Sequence, residues 1–275
     1  MRELWVNDEG RIEEQVTEGA RMMTENENRN GSREYFPHQL GWTDEKISNL
    51  WNYYSGNKAH QKQYFSYQAG DIILNQIERY IQFDKMSAIL DYGCGPGFLM
   101  EKLLNRLQGP QKCYGLDFSR ESAGFVEEKY KGNPNYGTTV WVEKLPSPYE
   151  DRSMDLITAL EVVEHLNDGQ LSQMCQEGYR LLKPGGYVLL TTPNREDLEQ
   201  SKTICPECGA IFHRWQHVRT WSAGSLSAYM KKSGFKTIGI HETNFAVKFQ
   251  RLLKYVLKFF PQKQTALLYM GMKVT

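Results

Sequence analysis

The 275-residue chain lacks any run approaching the ~20 consecutive apolar residues that a membrane span requires. Its opening residues, MRELWVNDEG, lack the apolar stretch of a secretory signal, so the sequence reads as cytoplasmic. Net charge is also lacking: 33 Lys and Arg balance 33 Asp and Glu, so no global basic field advertises nucleic acid and no acidic excess repels it. Cysteine is scarce, with five in the whole chain, which excludes a disulfide-stapled miniprotein. No internal repeat or low-complexity tract appears. What is present, 40% hydrophobic and 24% charged residues, is ordinary for a folded globular chain and excludes a wholly disordered or collagen-like one. At roughly 150 residues per domain, the length fits one large domain or a domain with extensions.

Residues 1–34 are rich in Glu, Asn, Arg and Gly with little hydrophobic periodicity, and read as a flexible N-terminal arm. Residues 35–82 concentrate aromatics, among them Trp51, Tyr53, Tyr54, Tyr64 and Phe65, beside Ile72, Ile73, Gln76, Ile77, Tyr80 and Ile81 at helical spacing; they predict a helical cap or lid. From residue 83 onward, the strand-like runs SAILDY, KCYGLDF, TTVWVE, MDLITAL and GYVLLTT alternate with the amphipathic FLMEKLLNRL, ESAGFVEEKY and GQLSQMCQEGYRLL. Such alternation requires crossover connections, hence a parallel sheet in an α/β layered fold. An insertion over 194–222, a helix near Ser225–Ser233, a strand near Lys236–His241, a basic amphipathic helix over 245–260 and a last strand, ALLYMGMKV, complete the chain.

The segment Asp91-Tyr92-Gly93-Cys94-Gly95-Pro96-Gly97 ends the first of these strands and opens a helix. Glycines there permit a tight turn and let a ligand lie against backbone N–H groups and the positive helix end. Asp117 closes the next strand 22 residues after Gly95, near the ~20 expected of an acid that grips a ribose diol. A nicotinamide-binding fold uses the same turn and acid, so these two features leave that reading open.

Three further segments complete an ordered set: Glu143-Lys144-Leu145-Pro146, the run DLITALEVVEHL from Asp155 to Leu166, and Lys183-Pro184-Gly185-Gly186. Together with the glycine loop and Asp117, the set resembles the class I S-adenosylmethionine-dependent methyltransferases over about Tyr64 to Phe235. The resemblance implies a three-layer Rossmann-like fold: a mostly parallel seven-stranded sheet with an antiparallel last strand, a helical N-terminal cap and a Cys/His-containing insertion. It implies that Gly93, Gly95 and Gly97 shape the loop around the methionine end of S-adenosylmethionine with Asp91 nearby. It further implies that Asp117 holds the ribose hydroxyls, that Phe118 packs on the adenine, and that Glu161 faces the cofactor pocket. Where the family often has Asp-Ala before Glu-x-Leu-Pro, this chain has Trp141-Val142 ahead of Glu143, and the Val142 backbone or the Trp141 ring takes over that contact. Tyr64 is the lid aromatic expected to touch the cofactor, since aromatic faces suit a sulfonium cation.

Glu161, Glu164 and His165 recur at i, i+3 and i+4, one face of a helix if the segment is helical. A divalent cation such as Mg²⁺ fits there, particularly if His217 arrives from the insertion. The pattern resembles the ubiquinone-pathway O-methyltransferases and the small-RNA 3′-end enzymes; packing and capping roles for the same residues are the alternative. His217 and His165 are the candidate catalytic residues. Cys205-x2-Cys208-x4-His213-x3-His217 suits a closed tetrahedral zinc site that stiffens a loop too small to own a core, or leaves two free thiols. His217 thus has two competing roles. The helix over 245–260 either packs on its own sheet or meets a membrane surface peripherally. The expected activity is methyl transfer from S-adenosylmethionine to a small-molecule acceptor, an oxygen. An RNA methyltransferase with a Glu/His-bound cation and a non-catalytic S-adenosylmethionine-binding protein are the alternatives.

Overall fold

The computed structural model describes residues 4–6, 12–14, 35–245 and 265–274. The basic helix expected over 245–260 lies outside them apart from Phe245. The arm expected over 1–34 also lies outside them apart from two short strands, β1 (Leu4–Val6) and β2 (Ile12–Glu14), which pair antiparallel. The remaining strands are β3 (His38–Gln39), β4 (Ala88–Tyr92), β5 (Lys112–Asp117), β6 (Tyr136–Trp141), β7 (Met154–Leu160), β8 (Leu182–Pro193), β9 (Lys202–Ile204), β10 (Ala210–His213), β11 (Phe235–Thr243) and β12 (Ala266–Lys273). The helices are α1 (Asp44–Gly56), α2 (Lys58–Gln61), α3 (Phe65–Ile77), α4 (Phe98–Leu104), α5 (Arg120–Tyr130), α6 (Asp168–Leu181) and α7 (Ala223–Lys232). No helix among the described residues is long and apolar enough to cross a membrane.

The chain divides into a small unit, Met1–Gly41 with Lys202–Arg214, and a large unit, Trp42–Ser201 with Trp215–Thr275. The sequence-based boundary at residue 35 is therefore displaced: Tyr35–Gly41 belongs with the insertion, because β3 pairs with β10. In the small unit β10 lies between β3, its parallel neighbour, and β9, its antiparallel one.

The large unit is built on a seven-stranded sheet in the order β11-β12-β8-β7-β4-β5-β6. The pairs β4–β5, β5–β6, β4–β7 and β7–β8 are parallel, while β12 runs antiparallel to both β8 and β11. Side chains alternate between the two faces of a strand, so Ile89, Leu156 and Leu189 join one core and Leu90, Ile157 and Leu190 the other. The first core is closed by α3 and α4 through Ile73, Leu74, Ile77, Leu99 and Leu103; the second is closed by α6 and α7 through Leu171, Met174, Leu181, Leu226 and Met230. Thus α3 is a layer helix of the fold, not only a cap. Tyr80, which helical spacing placed on its buried face, is exposed because the helix ends at Ile77.

Strand order reverses at β4, whose neighbours β5 and β7 lead away to opposite edges. Ligands of open α/β sheets bind outside the carboxyl ends of strands at such a switch point. Here that places the Gly93–Gly97 loop beside the Glu161–His165 turn.

One buried network holds the loop after β6. The Glu177 carboxylate on α6 accepts the Ser147 N–H at 2.9 Å and hydroxyl at 2.6 Å, and pairs with Arg180 at 2.7 Å. Burial raises the Glu177 carboxyl, but the bonds from Arg180 and Ser147 together outweigh it and leave it below the usual range. Removing one member of a buried pair strands the other, at about 3–5 kcal/mol. Glu177→Ala is therefore expected to lower unfolding free energy by about 3 kcal/mol, the low end because Arg180 keeps Asp151 at 2.6 Å. Urea denaturation of the two proteins measures the difference; a midpoint equal to wild type would remove the network from the account.

Candidate active site

After Tyr92 the backbone turns through positive φ at Gly93 (70°), Gly95 (49°) and Gly97 (79°). A Cβ at Gly93 would stand 2.8 Å from the Val162 side chain and one at Gly97 2.9 Å from that of Val126, so both positions need glycine for space as well as conformation. Over Gly95 the nearest atom is the Tyr64 ring, 3.5 Å away. The Tyr64 hydroxyl lies 3.1 Å from that of Ser55, and burial pushes its pKa up to about 12.

Asp117 ends β5 directly across from this loop. Its Oδ2 accepts the Gly95 N–H at 2.8 Å and its Oδ1 the Ser119 N–H at 2.7 Å. Burial raises its pKa, against the N–H donors that favour the charge. A carboxylate offers about four lone-pair sites, so each oxygen retains room for a further donor. Asp91 is 2% exposed; its Oδ1 accepts the Thr158 hydroxyl at 3.0 Å, while its Oδ2 is buried with no hydrogen-bond partner. Burial pushes Asp91 up to about 7. An unpartnered buried carboxylate oxygen is costly and marks a place where an incoming cationic group is favoured.

Phe118 and Trp141 are large exposed aromatics beside this acid, and the Trp141 indole N–H donates to the Phe118 carbonyl at 3.1 Å. The Val142 N–H is committed to the Asp117 carbonyl at 3.1 Å. Glu143 is exposed on the same rim, ahead of a cis Leu145–Pro146 bond. From the cap side, α1 reaches the N-terminus of α5: the hydroxyls of Ser119 and Ser122 donate to Asn52 at 2.8 Å and to Ser55 at 3.0 Å.

The segment from Glu161 to Leu166 is a turn, not the helix on which the i, i+3, i+4 spacing was read. Glu161 takes a positive φ of 53°, which breaks the helix at its start. The turn still gathers its side chains. Glu164 is 1% exposed, its Oε2 accepts the Thr192 hydroxyl at 3.0 Å, and its Oε1, without a hydrogen-bond partner, lies 3.9 Å from His165 Nε2. His217 arrives from the later part of the 194–222 insertion, its ring 4.8 Å from that of His165. Donor atoms of Glu164, His165 and His217 all lie within 4.8 Å of one another. Burial pushes Glu161 up to about 7 despite bonding to Thr191, and burial with the neighbouring Glu161 charge raises Glu164 well above the usual carboxylate range.

Sequence reasoning missed two members of this cluster. Glu196 contacts His217 Nδ1 through its carboxylate. Gln216, 1% exposed with a φ of 61°, accepts the Trp51 indole N–H at 3.0 Å and donates to the His165 carbonyl at 2.8 Å. It therefore ties α1 to the Glu161–His165 turn. Its place beside His217 was the sole local signal, and Glu196 had none. The Trp51 ring stands 4.9 Å from His165 at 80°. Cys205, Cys208 and His213 fall in the small unit and His217 in the large one; among the described residues neither cysteine joins a group of three donors within 4.8 Å.

The seven-stranded sheet with antiparallel β12 and a glycine turn at its switch point is the fold of the class I S-adenosylmethionine-dependent methyltransferases. The chain belongs to the methyltransferase domain family, whose model matches residues 60–239, and the nicotinamide reading falls with that match. A probable S-adenosylmethionine-dependent methyltransferase of Mycolicibacterium smegmatis is 28% identical over 55% of this chain and 54% of its own length. A ubiquinone biosynthesis O-methyltransferase of Leptothrix cholodnii is 32% identical over 47% of this chain and 54% of its own. The chain thus spans about half the length of these two relatives, and 38% and 39% of two tRNA N(3)-methylcytidine methyltransferases that it also matches. In fold it is similar to a S-adenosylmethionine-dependent methyltransferase of Aquifex aeolicus, with a TM-score of 0.55 at 17% identity, over 85% of this chain and all 100% of that one.

Proposed function

We propose that this methyltransferase acts on an oxygen of a small-molecule acceptor, with Glu161, Glu164 and His165 holding a divalent cation beside the cofactor crevice and His217 next to it as the base. The observation that carries this reading is the convergence of Glu164, His165 and His217 donors within 4.8 Å. The donor set fits: an imidazole, a half-buried carboxyl and a fully buried one whose Oε1 lacks a partner suit a borderline or hard divalent ion. The kinship with a ubiquinone biosynthesis O-methyltransferase supports the oxygen acceptor.

S-adenosylmethionine presents an electrophilic methyl on a sulfonium, so transfer is an in-line displacement: the acceptor oxygen gains the methyl, loses its proton, and the sulfonium leaves as a neutral thioether. The protein has to align the two and take the proton. In this reading Asp117 takes the ribose hydroxyls, Asp91 the methionine ammonium, and Phe118 with Trp141 the adenine face. His217, held at Nδ1 by Glu196, is the base for the acceptor proton. A cation bound at the cluster supplies a Lewis acid that lowers the pKa of the acceptor hydroxyl. Gln216 and Trp51 keep the turn and the cap helix in register around it.

The test is methyl transfer from labelled S-adenosylmethionine to a panel of phenols, catechols and hydroxylated metabolites, with tRNA alongside, in the presence and absence of a chelator. Labelled methyl ethers that disappear on chelation are expected. Label confined to RNA, or small-molecule turnover indifferent to chelation, would replace this reading.

A pH dependence follows from Asp91. In the free enzyme it titrates at about 7, and only its ionised form pairs with an ammonium. Cofactor affinity should therefore fall as pH drops below about 7, approaching tenfold per unit, since one unit is about 1.4 kcal/mol. Asp91→Asn should flatten this acid limb. Calorimetry across the range measures it, and a wild-type affinity unchanged below neutrality would remove Asp91 from the ammonium site.

A further inference from the structure

We infer that α1 and α2 form a lid over the cofactor crevice, held shut by a polar latch, Asn52 with Ser119 and Ser55 with Ser122, that has to open for S-adenosylmethionine to enter or leave. The inference rests on the cofactor lying between Gly95 and Asp117; it needs neither the cation nor the acceptor.

Burial separates the lid from its anchor. Helices α1 and α3 have thirteen residues each, yet α3 buries Ala69, Gly70, Ile73, Leu74 and Ile77, whereas α1 and the four-residue α2 bury no side chain. The sequence of α1 does carry an apolar stripe: Ile47, Leu50, Trp51 and Tyr54 recur at i, i+3, i+4 and i+7, one face of a helix. All four are only half-buried, and none joins either core. An element with so few buried apolar contacts opens locally, well before the protein unfolds. Residues 62–64 connect it to α3, whose buried face holds that end of the hinge in place.

What seats α1 is polar. The Ser119 hydroxyl donates to Asn52 Oδ1 at 2.8 Å and the Ser122 hydroxyl to that of Ser55 at 3.0 Å. On the body side Ser119 and Ser122 are buried, while Asn52 and Ser55 on the lid are half-buried. Both latch points continue into the crevice. The Ser119 N–H donates to Asp117 Oδ1 at 2.7 Å, so one residue touches the ribose acid with its backbone and the lid with its side chain. The Ser55 hydroxyl lies 3.1 Å from that of Tyr64, whose ring is the nearest group over Gly95. The lid is thereby joined to the crevice at the acid and at the glycine loop. Its other seats are the Trp51 indole N–H on Gln216 at 3.0 Å, the Gln170 amide on Asp44 at 3.3 Å, and ring contacts of Trp51 with His165 and of Tyr54 with Trp215. Water replaces a hydrogen bond to an opened surface with little net change, whereas a buried apolar face has no such substitute. A polar seat therefore releases and re-forms where a core contact would not.

Locking the latch tests this. The Ser55 and Ser122 hydroxyls stand 3.0 Å apart, so Ser55→Cys with Ser122→Cys brings two sulfurs within reach of a disulfide. Stopped-flow tryptophan fluorescence with S-adenosylhomocysteine reads the exchange, with wild type treated with the same oxidant as the control. Association with the cross-linked free enzyme, and dissociation from enzyme cross-linked after loading, should each slow by at least about tenfold and recover on adding dithiothreitol. Asn52→Ala with Ser55→Ala should do the opposite, raising the dissociation rate about tenfold through the loss of two neutral hydrogen bonds. Hydrogen exchange gives a second reading on unmodified protein: amides of 44–61 should exchange faster than those of α3 in the free enzyme and slow when S-adenosylhomocysteine is added. Unchanged rates in the cross-linked protein, or amides of 44–61 as protected as those of α3 in the free enzyme, would overturn the lid. Asp117→Ala distinguishes that failure from a misplaced cofactor, because only the latter leaves its affinity for S-adenosylhomocysteine at the wild-type value.

Discussion

Asp117→Ala is expected to weaken S-adenosylmethionine binding by about 10²–10³-fold. Each hydrogen bond to a charged group is worth about 1.5–3 kcal/mol, and a carboxylate gripping two ribose hydroxyls makes two of them. Their loss amounts to about 3–4 kcal/mol after partial replacement by water, at about 1.4 kcal/mol per factor of ten. The change also frees the Gly95 N–H, which Asp117 holds at 2.8 Å, so the glycine loop loosens along with the ribose contact. Asp117→Asn keeps one acceptor oxygen and should lose less. Calorimetry of the three proteins, with a thermal melt to confirm folding, gives the answer. Wild-type affinity in the alanine variant would mean that the nucleoside lies elsewhere.

Turnover, in contrast, should collapse on the other side of the crevice. His217→Ala is expected to lower kcat by about 10²–10⁴-fold, the range for loss of a positioned general base, while leaving the dissociation constant for S-adenosylmethionine unchanged. Glu164→Gln should lower kcat as well and, in addition, abolish sensitivity to chelators, because an amide preserves the shape of the side chain and its contact with Thr192 but not its charge. The two variants separate base from cation holder. Steady-state kinetics with and without added metal reads both, and full activity in His217→Ala would assign the proton transfer to another group.

Much of this was legible residue by residue. The alternation of SAILDY, KCYGLDF and MDLITAL with amphipathic runs encodes a parallel sheet, since each strand must be followed by a crossover, and the observed sheet has that form. The glycine turn and Asp117 could be read because they lie within one strand-helix-strand unit, where spacing along the chain translates directly into proximity. The helix expected over Glu161–His165 is a turn, because Glu161 takes a positive φ, and from that turn Glu164 and His165 still meet His217. Helical spacing likewise put Ile73 and Ile77 into the core but could not tell that α3 is a layer of the sheet fold rather than a lid over it.

By itself, then, the amino-acid order determined the fold class, the glycine turn and the acid opposite it, all consequences of local backbone preference and periodic hydrophobicity. Only the tertiary structure decided that Glu196 meets His217, that Gln216 joins Trp51 across 165 positions of chain, and that His38 stands beside the cysteine turn. Those meetings depend on strand order and on where the chain returns after long excursions, and neither is encoded in the residues that meet.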